Sequence, residues 1–140
     1  MTTRRHFISS LIITMLGLAP GLTWAAGPTV EIIAMAHPPV QDALKPLREW
    51  LALQGSKVRV IEIDAESTQG EKRLASIGLK GHVPIAILID GNVKHQRKNG
   101  GALTFVNFPA VKESPAGIRG DWLTEDVQAV VSERQGKSAQ

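Results

Sequence analysis

Residues 84–89 read Pro-Ile-Ala-Ile-Leu-Ile and run directly into Asp90-Gly91-Asn92. A short apolar run with no alternation, closed by a turn, reads as a central strand covered on both faces. Such a strand needs a packed layer above it and another below. Asp-Gly-Asn is a strong turn signal, so residues 93–98 are expected to return antiparallel to this strand.

The flanking sequence supplies the covering layers. Residues 29–34 (Thr-Val-Glu-Ile-Ile-Ala) form a β-branched strand. Val40, Ala43, Leu44, Leu47 and Leu51 then recur at three- and four-residue steps, the stripe of an amphipathic helix. Pro46 lies inside that helix and should kink it, and Gly55 closes it. Residues 58–63 predict a largely buried second strand, and residues 71–77 a short helix closed by Gly78. Residues 99–120 read as an irregular loop insertion with one extended piece around Leu103 to Phe108. Residues 124–134 predict a last helix, capped by Thr124 or Asp121, with Val127, Val130 and Val131 inward. Residues 135–140 are expected to fray. The alternation of strands and helices predicts an α/β fold: a central mixed sheet with helices on both faces.

The first 25 residues have the three parts of a secretory signal: basic Arg4 and Arg5, an apolar run from Phe7 to about Leu22, and Thr23-Trp24-Ala25 before the expected cleavage point. A membrane anchor would need roughly 20 mostly apolar residues; this run is shorter and is interrupted by Ser9, Ser10, Pro20 and Gly21. Residues 26–140 are then a single exported domain, periplasmic or secreted, with no stable membrane insertion after cleavage. Thr3-Arg4-Arg5-His6-Phe7-Ile8 resembles the twin-arginine export motif. That resemblance implies a domain folded before export and somewhat favours a bound ligand.

Without Arg4 and Arg5 the net charge falls from +3 to +1, which gives no electrostatic case for nucleic acid. The chain has no cysteine, which excludes disulfides and thiol chemistry.

The order strand, kinked helix, strand, short helix, strand, hairpin, helix resembles the thioredoxin-like superfamily, a three-layer sandwich. Two local features carry the resemblance: Val83-Pro84 ahead of the buried strand and its Asp-Gly-Asn turn, and Pro46 in the first helix. The resemblance implies that Val83-Pro84 is a cis-proline peptide facing the active site. It also implies that the redox CxxC slot falls on Pro38-Pro39-Val40-Gln41 or on His37-Pro38-Pro39-Val40. Neither alignment contains a thiol, and disulfide exchange requires a thiolate, so that activity is excluded.

The leading expectation is a non-enzymatic module that binds a periplasmic protein or an extended peptide. Its groove would be built from His37, Pro38, Pro39, Val40 and Gln41, from His82, Val83 and Pro84, and from Phe105, with strand-like pairing beside the cis-proline. No cofactor is expected on this reading. The alternative is Cu or Zn binding or delivery by His37 and His82, with Met35 as a soft third ligand. The helix start after Pro39 also offers free N–H groups to an anion. Asp64, Glu66 and Asp90 are carboxylates near strand ends, yet no catalytic fingerprint accompanies them. Phe105 and Phe108 can either fill the core or present an apolar rim.

Overall fold

The computed structural model describes residues 27–138, so the expected leader lies outside the described residues. Strand β1 (Thr29–Ala34) leads into helix α1 (Pro38–Gln54), a 3-10 turn and strand β2 (Arg59–Asp64). Helix α2 (Thr68–Ser76) precedes strand β3 (Ile85–Ile89), and then β4 (Lys94–Gln96), β5 (Ala102–Thr104) and helix α3 (Thr124–Ser138) complete the order. The main sheet has strand order β2-β1-β3, with β1 parallel to β2 and antiparallel to β3. The chain is thus an α/β protein with a mixed sheet. Among the described residues no helix is long and apolar enough to cross a membrane.

Two ion pairs place α1 and α2 on opposite faces of the sheet. Arg48 of α1 grips Glu62 of β2 through two bonds of 2.8 Å. Arg73 of α2 grips Glu31 of β1 at 2.8 and 2.7 Å. Glu62 is in register with Ile32, the neighbour of Glu31, and neighbouring strand residues point to opposite faces. Helix α3 packs beside α1.

All five residues of β3 are buried, as expected for a strand covered on both sides. The inward stripes of α1 (Val40, Leu44, Leu47, Leu51) and α3 (Val127, Val130, Val131) are also buried, as their spacing predicted. Strand β2 is different. It is the sheet edge, four of its six residues are exposed, and the buried residues are those just outside it, Val58 and Ala65. A run of β-branched residues does not distinguish an edge strand from a central one.

The segment after the Asp-Gly-Asn turn also departs from expectation. Asp90 and Gly91 both take positive φ, 50° and 80°, and Asp90 is tied back to Thr29 through backbone and side chain. Beyond this turn β4 pairs with β5 rather than with β3. The free edge of β3 is taken instead by residues 105–107: Ile87 N–H donates to Phe105 O at 2.9 Å, and Asn107 N–H to Ile85 O at 2.8 Å. The expected loop insertion therefore contains strand β5 and the partner of the central strand.

Both flanking helices are longer than predicted. Ser67 caps α2 by accepting from Gly70 N–H at 3.0 Å, which moves its start ahead of Glu71. Neither Thr124 nor Asp121 caps α3. Asp126, at the third helical position, reaches back to Leu123 N–H at 2.9 Å, one half of a capping box, while Asp121 accepts from Thr104 N–H. The helix continues through Ser138 rather than fraying at 135, with Gln135 bonded to Gln54 of α1 at 3.3 Å.

Under β5, His95 is buried and stacks on Phe105 at 4.9 Å, and Trp122 meets Phe105 edge-on at 6.0 Å. His95 Nε2–H donates to Asn92 O at 2.8 Å. Burial pushes the His95 imidazole below its ordinary value of 6.5; the Asn92 bond and Asp90 oppose this, and Arg134 adds to it.

Two predictions follow from this packing. Gly70 lies against the Asp64 carbonyl and Ala65; a Cβ there would overlap that carbonyl and sit 2.8 Å from Ala65 Cα. Alanine improves helix propensity by about 1 kcal/mol, but backbone cannot swing aside. Gly70→Ala should lower stability by about 1–3 kcal/mol, read as a lower urea midpoint at unchanged slope. For His95, the unfolded imidazole takes up its proton near pH 6.5, before the folded one does. Its contribution is therefore complete above that pH and is lost as pH falls through the lowered folded value. The urea midpoint should drop as pH falls below about 6.5, and His95→Gln should flatten that part of the profile.

Candidate functional site

The antiparallel ladder between β1 and β3 extends one step beyond both strands, where Met35 N–H donates to Pro84 O at 3.0 Å. This bond brings residues 35–41 and 82–84 to the same end of the sheet. Several of the expected groove residues are thereby committed to the fold.

Met35, Val40, Val83 and Pro84 are buried. Gln41 is exhausted as a latch: its Nε2 donates to Met35 O at 2.7 Å and its Oε1 accepts from Arg48 at 2.8 Å. His37, Pro38, Pro39 and His82 are exposed. His37 precedes the helix, its Nε2 3.0 Å from Glu66 Oε2. Pro38 and Pro39 occupy the first helical positions, where a missing N–H costs nothing.

Three expectations are corrected here. The Val83-Pro84 peptide is trans, since no cis peptide occurs among the described residues. The Pro84 carbonyl is already engaged by Met35, so strand-like pairing beside a cis-proline has no basis. Phe105 is fully buried between His95 and Trp122 and lines no surface groove; it fills the core. The free N–H groups expected after Pro39 are also absent: Val40 and Gln41 N–H both donate to His37 O, at 3.0 and 3.1 Å.

An apolar groove does exist, one step along the same helix. It has a volume of about 430 Å³ and lies between the outer face of α1, at Pro39, Asp42, Ala43 and Pro46, and the segment 108–115. Phe108, Pro109, Val111 and Pro115 supply the apolar side of that segment, and Glu113 is also on the lining. The segment is held by its backbone. Phe108 N–H donates to Ile118 O at 2.9 Å, Gly120 N–H to Phe108 O at 2.6 Å and Ala110 N–H to Trp122 O at 2.7 Å. Ser114 Oγ bonds the Pro109 carbonyl, and Arg119 donates to Ser114 O at 2.9 Å. A wall secured in this way is preformed rather than assembled on binding.

Of the residues predicted for a groove, only Pro39 lines this one. Asp42, Pro46 and the 109–115 wall were missed. The available signal was Phe108-Pro109 followed by Pro115 in an aromatic-poor chain, but nothing in the spacing says which helix that loop crosses. A smaller cleft of about 270 Å³ lies by Arg97 and Asp126. It is closed electrostatically, because Arg97 bonds both Asp126 oxygens at 3.1 Å and Asp121 O at 2.7 Å.

No group of three His, Cys, Asp or Glu side chains placed to hold a metal occurs among the described residues. His37 has Glu66 beside it but no third such ligand, and Met35 is buried. Comparison with known proteins adds nothing to this geometry: no family model, no curated protein and no solved structure matches the chain.

With no three-ligand set, added Cu(II) or Zn(II) should leave the melting temperature of the purified protein unchanged. Tight binding to the folded state would raise it by mass action. A metal-dependent rise that disappears in both His37→Ala and His82→Ala would restore the metal reading.

Proposed function

We propose that this chain is an exported, thioredoxin-like domain that has left thiol chemistry behind and acts as a binding module for an extended segment of another protein. The observation that carries the reading is the preformed apolar groove between α1 and segment 108–115. Ligand sites are typically concave and mostly apolar, with a few polar groups to set orientation, and this groove has that composition. It lies on the first helix, next to the slot that would hold the redox motif in a thiol-bearing relative.

The topology supports the fold assignment. A β-α-β unit with parallel strands, a second helix, and a third strand antiparallel to the first is the thioredoxin-like order, and the helices on opposite faces fit a three-layer sandwich. The departure is at the free edge of β3, where residues 105–107 replace a simple returning strand. That detour carries the chain across α1 and builds the groove wall. With no cysteine, the site can bind and orient a guest but cannot exchange disulfides. The signal-like first 25 residues support action in the periplasm or outside the cell.

Site-specific photocrosslinking in the protein's own host tests the reading. A photoreactive residue in place of Val111, on the groove rim, should give a discrete protein adduct. The same residue in place of Leu53, exposed two turns farther along α1, should not. Equal adducts from both positions, or none from either, would overturn it.

A further inference from the structure

We propose that the segment accepted by this groove is basic: an apolar anchor with a Lys or Arg directly beside it. The inference rests on the peptide-binding reading above and specifies its partner chemically. Its basis is the imbalance of polar groups around the groove. The only charged side chains on the lining are Asp42 and Glu113, one on each wall, and both are acidic.

Neither carboxylate takes part in an ion pair or a side-chain hydrogen bond among the described residues, whereas Glu31, Glu62 and Asp126 are each held by an arginine. Among the described residues no nearby cation is bonded to either groove acid. Lys45, one turn beyond Asp42, forms no ion pair with it, and Arg119 is bonded to the Lys112 and Ser114 carbonyls. Lys45 and Lys112 are exposed and lie outside the lining.

Asp42 and Pro46 both line the groove. The site therefore presents two carboxylates around an apolar floor of Ala43, Phe108 and Pro109. Donor-rich side chains on aliphatic stems match that pattern, because Lys and Arg lay their methylenes on apolar surface and direct their charge outward. An acidic guest would meet like charge on both walls, a negative selection.

A random peptide display library panned against the purified protein tests this, with affinities of enriched peptides measured by fluorescence polarisation. The expected result is enrichment of Lys or Arg adjacent to an aliphatic or aromatic residue. The double variant Asp42→Asn, Glu113→Gln should weaken those peptides roughly three- to tenfold, as expected for two partly exposed ion pairs, and added salt should do the same. Reversal to Asp42→Lys, Glu113→Lys should shift selection to acidic peptides. Enriched peptides with no basic bias, lost in the rim variant Val111→Arg, would overturn the basic preference and leave the groove reading intact. Failure to obtain any peptide sensitive to Val111→Arg would overturn both.

Discussion

The structure depends on satisfying β3 in every direction at once. Its five residues are buried on both faces, so no backbone group on either edge can turn to water, and an unpaired one would cost about 1–3 kcal/mol. One edge is met by the ladder to β1. The other is met by residues 105–107, delivered by a chain that has first turned away through β4 and β5. Once that segment is fixed, the residues after it have little freedom. Phe108 is pinned between Ile118 and Gly120, Ala110 is bonded to Trp122, and the loop lies across α1. The groove is thus a consequence of completing the central strand.

Charge placement follows the same geometry. Helices α1 and α2 are each joined to the sheet by a bidentate arginine, Arg48 with Glu62 and Arg73 with Glu31, and the two pairs leave opposite faces. The hydrogen bond that each arginine donates to its carboxylate, the largest effect, raises the arginine's pKa, and the pair's mutual charge adds to it against the cost of burial. Bidentate geometry fixes orientation as well as contact, which suits helices whose apolar stripes could otherwise slide. The groove acids Asp42 and Glu113 belong to no such clamp among the described residues.

The residues where β1 ends and β3 begins serve the fold. Gln41 ties the end of β1 to Arg48, His37 O gathers two amide donors, and Pro84 O receives Met35. The features that suggested a groove at this end of the sheet are real in sequence, but the Gln41 side chain and the His37 and Pro84 carbonyls are spent internally. The apolar groove lies one step along the helix, between Pro46 and the proline-rich wall.

Local pattern determined much of this protein before any contact was considered. The period of Val40, Leu44, Leu47 and Leu51 is enough to define α1 and its buried face, because helical spacing is a property of neighbouring residues. The unbroken run of β3 likewise announces burial on both sides, and the lack of cysteine excludes thiol chemistry outright. Tertiary structure decided what depends on distant residues meeting. Whether β2 is edge or centre, which segment completes β3, whether Phe105 is core or rim, and which helix the 108–115 loop crosses are all matters of long-range pairing. No local preference encodes these outcomes: a β-branched strand reads the same with one neighbour or two, and a carboxylate such as Asp42 reads the same in sequence whether or not an arginine holds it.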